Sequence, residues 1–357
     1  MADRGISIGK YFGIEVDLHW TFVLLLILAF VLDAYFFLII VFLFICVLLH
    51  EFAHSLTALK NRISVKRILL LPIGGASIID DTKISPEVEF NIALAGPLAS
   101  IFLGFAFGVL AVITPIGILT QTMQYMFELN IFMGIFNIIP AFPMDGGRIF
   151  RSYLERRYDF AKATKITLKI SKALIAAFAV ITIIFVLFAN SFSLGYREFV
   201  GFWNILIIVI LYSGAEGEEE SARIRELTKG MSVGTYASNN YIFTKHTISF
   251  SDLKKEFLKT KKHIIVMQIN GKYYVADVLS YNTRYVPSSL KGMAVELMML
   301  DANTNVATAL GKMQASNSWV AAVMSNGKMK GIVTTGILQA AISIALMQKR
   351  HSEEKEL

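Results

Sequence analysis

The sequence predicts a polytopic α-helical membrane protein of about six transmembrane helices with a short β-hairpin or re-entrant segment, followed by an α/β domain. Three observations predict it. Of 357 residues, 55% are hydrophobic and 17% charged, too apolar for an ordinary soluble domain of this length. The apolar residues crowd into 18–214, while 215–357 reads as a soluble module. Within that module a strand–helix–strand–turn–strand pattern occurs twice. The expected division is a membrane domain over 1–214, an acidic linker over 215–227, the tandem α/β domain over 228–350 and a charged tail over 351–357.

A membrane span needs about 20 apolar residues. Trp20 to Leu49 is apolar apart from Asp33, so two helices, 17–33 and 35–59, are expected to turn near Asp33. Further spans are expected over 87–113, 123–141, 170–190 and 198–214. Between the second and third lies VKRILLLPIGGASIID, Val65–Asp80. Pro72, Gly74 and Gly75 forbid a spanning helix there, and the segment reads as a hairpin or re-entrant stretch beside a protein cavity. Gly214–Glu220, acidic and glycine-containing, reads as the linker. In the tandem domain, Asn270-Gly271 and Asn326-Gly327 sit at matching places between apolar runs, each a strong hairpin signal, which makes an internal duplication the economical reading.

The net charge is +7, and its placement follows membrane topology rather than nucleic-acid binding. Arg4 and Lys10 precede the first span, Lys60, Arg62, Lys66 and Arg67 follow the second, eight basic residues from Arg148 to Lys172 separate the fourth and fifth, and Arg223 and Arg225 follow the sixth. The alternate loops are poor in basic residues. Basic loops face the cytoplasm, so both termini and the C-terminal domain are expected there, on a multi-pass protein of the cell membrane with a retained first span. The single cysteine, Cys46, excludes a disulfide framework and a cysteine-based zinc site.

His50-Glu51-Phe52-Ala53-His54 reads HExxH. Residues four apart share a helix face, so both imidazoles can reach one Zn2+ ion, and Glu51 stands beside them as a candidate general base. Ionisable groups in a membrane helix are costly and point to function. A catalytic zinc needs a third protein ligand with a fourth position left open. No third histidine fits: His19 starts the first span, and His246, His263 and His351 lie in the soluble half. The candidate is Asp145, in the Pro- and Gly-rich run Asn137–Arg148 at the end of the fourth span, level with HEFAH by the topology above. Asn137 is a second candidate, either binding substrate backbone or an oxyanion, or bonding helix to helix.

These motifs together, HExxH on the second span, NxxPxxPxDGG further on, LPIGG at Leu71–Gly75 and Ala95-Gly96-Pro97, resemble the site-2 protease family. The resemblance implies zinc held by His50, His54 and Asp145, Glu51 as base, and intramembrane cleavage of single-span membrane proteins. Ser100 departs from the asparagine many relatives carry, and Gly96 and Pro97 read as close helix packing. The duplicated C-terminal half resembles a pair of cystathionine-β-synthase (CBS) domains. Such pairs often bind adenine nucleotides and gate the attached protein, or serve as dimerisation or docking modules. Ribose-holding aspartates after the repeat strands are missing at Thr334-Thr335 and at Tyr281-Asn282. The rival readings are a CBS-regulated transporter and a non-catalytic membrane scaffold. The first lacks charged groups spread over several spans and a repeated membrane half, and the intact Glu51 argues against the second.

Overall fold

The computed structural model describes residues 5–72, 74–79, 84–114, 117–188, 194–244, 250–277 and 294–355. The chain divides into two compact units, Met1–Arg223 and Ile224–Leu357.

The first unit opens on a hairpin, β1 (Ile6–Tyr11) and β2 (Ile14–Leu18), where the sequence suggested only a lead-in to the first span. His19 then caps α1 (Trp20–Leu32): its Nδ1 accepts from the Thr21 backbone amide at 3.4 Å and meets the Thr21 hydroxyl at 2.6 Å. Asp33 ends α1 and caps α2 (Ala34–Lys60), accepting from the Phe36 amide at 2.7 Å. The expected turn at Asp33 is therefore a helix stop and a helix start in one residue. Strands β3 (Val65–Leu71) and β4 (Gly74–Ile79) follow, joined across Pro72 with Gly74 at φ 139°. They form a hairpin within a four-stranded sheet of order β1-β2-β3-β4, with β2 parallel to β3 and the other pairs antiparallel. Ile14, Ile63, Val65, Ile68 and Leu70 of this sheet region pack with Ala58 of α2 and Ile92 of the next helix. β4 is left as a sheet edge.

Next come α3 (Pro86–Ile113), α4 (Gly117–Ile138), α5 (Asp145–Leu154), α6 (Phe160–Phe188) and α7 (Leu194–Leu227). α3 and α4 approach through small residues. A Cβ on Gly104 would lie 2.8 Å from Ile131, and one on Gly134 3.0 Å from the Pro97 carbonyl oxygen. Among the described residues, four helices are long and apolar enough to cross a membrane: Ala34–Lys60, Pro86–Ile113, Phe160–Phe188 and Val200–Leu227. Two of the six expected spans fall short on that measure. α1 has 13 residues, and α4 carries Gln121, Gln124, Glu128, Asn130 and Asn137.

One further expectation is corrected. Gly214–Glu220 is not an extended linker but part of α7. Gly214 is where that helix passes Pro143, since a Cβ there would lie 2.5 Å from Pro143 Cγ. The glutamates after it favour helix and are held by Arg148 (to Glu218, 2.9 Å) and Lys172 (to Glu219, 2.6 Å). The Pro/Gly run ends one helix and leads into another. α4 ends at Ile138, the chain turns through Phe142, which is fully buried, and Asp145 opens α5.

In the second unit, β5 (Ile242–Thr244), α8 (Phe250–Thr260), β6 (Ile264–Ile269) and β7 (Lys272–Asp277) form the first repeat. After the two-residue strand β8 (Val295–Glu296), the second repeat is β9 (Met298–Asp301), α9 (Val306–Ala315), β10 (Val320–Ser325) and β11 (Lys328–Thr334), closed by α10 (Thr335–Lys355). In each repeat the first two strands are parallel and the last two antiparallel. The two hairpin turns match, with φ of 51° and 78° at Asn270-Gly271 and 49° and 74° at Asn326-Gly327. Both residues of such turns need positive φ, which the Asn-Gly pair accepts. A core of Ile264, Val266, Val275, Val320, Ala322 and Ile332 joins the repeats.

Candidate metal centre

α2 brings His50 and His54 to one face, as the four-residue spacing requires. Their rings stand edge to face, 4.7 Å apart and 80° between planes. α5 brings in the third group. Asp145 Oδ2 lies 3.2 Å from His50 Nε2 and 3.2 Å from His54 Nε2, and the two Nε2 atoms are 3.1 Å apart. Both histidines are buried. His50, His54 and Asp145 could hold a metal ion; among the described residues they are the group of such side chains that converges closely enough.

The outer nitrogens of the rings decide what the inner ones can do. His54 Nδ1 donates to the Ile92 carbonyl oxygen at 2.6 Å. His50 Nδ1 lies 2.8 Å from the Ser100 hydroxyl. A neutral imidazole that donates from Nδ1 presents a lone pair at Nε2. The His54 lone pair, His50 Nε2 and the Asp145 carboxylate oxygen, 3.1–3.2 Å from one another, form a triangle suited to a cation. A tetrahedral zinc site with bonds of about 2.0–2.1 Å has ligand–ligand edges of about 3.3–3.4 Å, and the observed triangle is close to that. Partners on the far nitrogen are also what metal-binding histidines use to fix ring and tautomer.

Space for an ion comes from Gly96 of α3. A Cβ there would sit 2.2 Å from His54 Nε2 and 2.7 Å from His50 Nε2. Close helix packing, the expected reading of Gly96, is thus only part of the matter: its bare backbone faces the ligand atoms. Ser100, one turn on from Gly96, touches His50. The sequence marked it only as a departure from a familiar pattern, and its i+4 spacing from Gly96 was the available signal.

Glu51 is held from the sheet. Ser77 of β4 donates to Glu51 Oε2 at 2.6 Å, and the Ser55 hydroxyl lies 3.1 Å from that of Ser77. Gly75 lets the strand approach, because a Cβ there would lie 2.4 Å from Glu51 Cγ. The carboxylate thus stands between the helix that carries the imidazoles and the edge strand. Among the described residues Asn137 makes no hydrogen bond to this cluster: its amide donates to the Met133 carbonyl in its own helix, at 3.0 Å.

Behind Asp145, α5 is anchored by charge. Arg151 is buried and pairs with Glu89 of α3, Glu155 of its own helix (3.8 Å) and Glu218 of α7 (3.6 Å), with its guanidinium over the Phe142 and Phe160 rings. Gly146 and Gly147 let α5 fold back against the end of α4; a Cβ on Gly146 would lie 2.1 Å from the Ile139 carbonyl oxygen.

Peptidase family M50 matches over residues 38–116 and 113–178. A zinc metalloprotease of Methanocaldococcus jannaschii, MJ0392, is 31% identical over 351 residues, covering 96% of this chain and 98% of that protein. Stage IV sporulation protein FB of Bacillus subtilis is 34% identical over 134 residues, 36% of this chain and 44% of that one. Among solved structures, the site-2 protease from Methanocaldococcus jannaschii is 35% identical and covers 60% of this chain and 94% of its own, with a TM-score of 0.44. The CBS domain of a bacterial CNNM/CorC family Mg2+ transporter in complex with ATP is 15% identical over 36% of this chain and 97% of its own, with a TM-score of 0.28.

Proposed function

We propose, for a chain that belongs to peptidase family M50 and is a zinc metalloendopeptidase of the site-2 protease type, that it hydrolyses a peptide bond in or near the membrane segment of single-span, membrane-tethered substrates. The observation that carries the reading is the convergence of His50 Nε2, His54 Nε2 and Asp145 Oδ2 from two distant parts of the chain, with Glu51 alongside. Neither a transporter nor an inert scaffold accounts for a metalloprotease family member with that constellation.

His50, His54 and Asp145 are the ligands in this reading. A bound zinc ion supplies a Lewis acid that acidifies water and polarises a carbonyl. Glu51 removes the proton from the attacking water and delivers it to the departing amide nitrogen. The Ser77 hydroxyl keeps the Glu51 carboxylate aimed, and Ser100 and the Ile92 carbonyl keep the imidazole Nε2 atoms turned inward. A substrate helix has its carbonyls already hydrogen-bonded, so the cut stretch must be unwound. The β4 edge, adjacent to Glu51, receives it as an added strand. Asn137 serves the substrate backbone or the oxyanion by exchanging its bond to Met133. In this reading α1, α2, α3, α4, α6 and α7 cross the membrane, with both termini and the second unit on the cytoplasmic side.

The second unit is a CBS pair that regulates the membrane half, binds adenine nucleotide or joins two copies in a homodimer. The repeated strand order supports the pair. The nucleotide reading draws no support from Thr334, whose hydroxyl accepts from the Ile337 amide at 3.3 Å; Tyr281-Asn282 lies outside the described residues.

The deciding experiment is metal content together with cleavage of a single-span test substrate by the purified full-length chain, wild type beside Glu51→Gln. Zinc in both and cleavage only by the wild type is expected. Equal cleavage by both, or a wild type that holds no metal, would overturn the proposal.

A further inference from the structure

α2 and α4 run side by side in the same direction, tied where the Thr122 hydroxyl donates to the Tyr35 hydroxyl at 3.3 Å. Along this seam lies a groove of about 430 Å³, lined by Asp33, Tyr35, Phe36 and Ile39 on one side and Tyr125, Glu128, Leu129 and Phe132 on the other. It contains neither metal ligand nor Glu51, and no step described above uses it.

Glu128 is its unusual member. It lies midway along α4, exposed and with no hydrogen bond or ion pair among the described residues. If α4 spans the membrane as proposed, a carboxylate exposed midway along it is costly, and such groups mark a pathway or a binding site. The rest of the groove says what would neutralise it. Phe36, Ile39, Leu129 and Phe132 offer an apolar trough for a long aliphatic stem, while Tyr35 and Tyr125 add ring faces that favour a cation. The complement is one lysine or arginine side chain carried on an otherwise apolar segment.

Two rulers set its distance from the metal centre. On α2, eleven residues separate Ile39 from His50, about 16 Å of helix. On α4, ten residues separate Glu128 from the helix end at Ile138, about 15 Å. The groove therefore lies about 15 Å from the metal centre, toward the α1–α2 turn, a distance that about ten residues span where the substrate keeps its helix and fewer where it is unwound at the cut.

We propose that the α2–α4 groove is a specificity subsite of the protease, in which Glu128 pairs with a lysine or arginine in the substrate's membrane segment about ten residues from the scissile bond. This rests on the protease reading above and adds what selects the substrate and sets the place of the cut.

The test uses the full-length chain in liposomes and a single-span substrate with lysine scanned through positions 6 to 14 from the cut, against leucine at each. Lysine near position ten is expected to raise kcat/KM by about tenfold, chiefly through KM. Glu128→Gln should bring the lysine substrate to the leucine level, and Glu128→Lys should shift the preference to a substrate with glutamate there. A flat scan, or a preference that survives Glu128→Gln, overturns the subsite. Binding is read separately by a photo-cross-linking residue replacing Phe132 in the Glu51→Gln chain, with Glu128 intact. Selective capture of the lysine substrate supports the groove, and equal capture of both overturns it. Selective capture without cleavage by the wild type would remove the protease reading while leaving the groove, so the two failures are distinct. If Glu128→Gln does not fold, the scan and the cross-link decide.

Discussion

At the scale of single residues, the centre is a set of lone pairs held in place by their outer partners. In the proposed mechanism Glu51→Gln removes the proton acceptor and leaves the three candidate ligands, so cleavage is expected to fall by about 10²–10⁴-fold while zinc content is unchanged, read by a gel-based cleavage assay and elemental analysis. Ser100→Ala frees the far side of His50, and the apparent zinc affinity, measured by chelator competition, should drop by about 10–100-fold. Gly96→Ala is the sharper test of space. The added methyl would lie 2.2 Å from His54 Nε2, so the purified protein is expected to carry no zinc and to keep its helix content by circular dichroism.

At the scale of elements, α5 is short, yet it supplies Asp145 and is tied to α3 and α7 through one side chain. Arg151 is buried against Glu89, Glu155 and Glu218. Removing one partner of a buried ionic group leaves charge uncompensated, at a cost of about 3–5 kcal/mol. Arg151→Met should therefore lower the unfolding midpoint in detergent strongly, and pairing it with Glu89→Gln should recover part of the loss. A midpoint within a degree of wild type would show that α5 is held by apolar packing of Phe142 and Leu168 instead. The same view explains the acidic stretch of α7: Glu218 and Glu219 fasten a helix rather than solvate a linker.

At the scale of the whole molecule, a membrane-embedded metalloprotease unit is joined to a duplicated α/β unit, each with its own core. If the metal is the cofactor of cleavage, a chelator such as 1,10-phenanthroline should abolish activity in liposomes and added Zn2+ should restore it. A chain ending after Leu227 is expected to retain zinc as the full-length chain does and to lose any response of cleavage to adenine nucleotide. If nucleotide has no effect on the full-length chain, the regulatory reading of the second unit fails while the protease reading stands.

Much of this protein is legible in its sequence because the signals are local. Hydropathy runs mark the long helices, the four-residue spacing in HEFAH pairs two imidazoles on one helix face, and Asn270-Gly271 and Asn326-Gly327 announce matching hairpins. Asp145 could be nominated because it follows an apolar span at the depth of HEFAH. Other features are set by contacts between residues far apart in the chain, which no local pattern carries. Gly214 looks like a linker glycine until Pro143 is found against it. Gly96 looks like a packing glycine until the imidazoles are found facing it, and Ser100 and Ser77 matter only because His50 and Glu51 are their neighbours. Periodicity and spacing thus settled which residues share a face. Tertiary structure alone settled which faces meet, because three groups that each present lone pairs become a cation site only when separate helices bring them within about 3 Å.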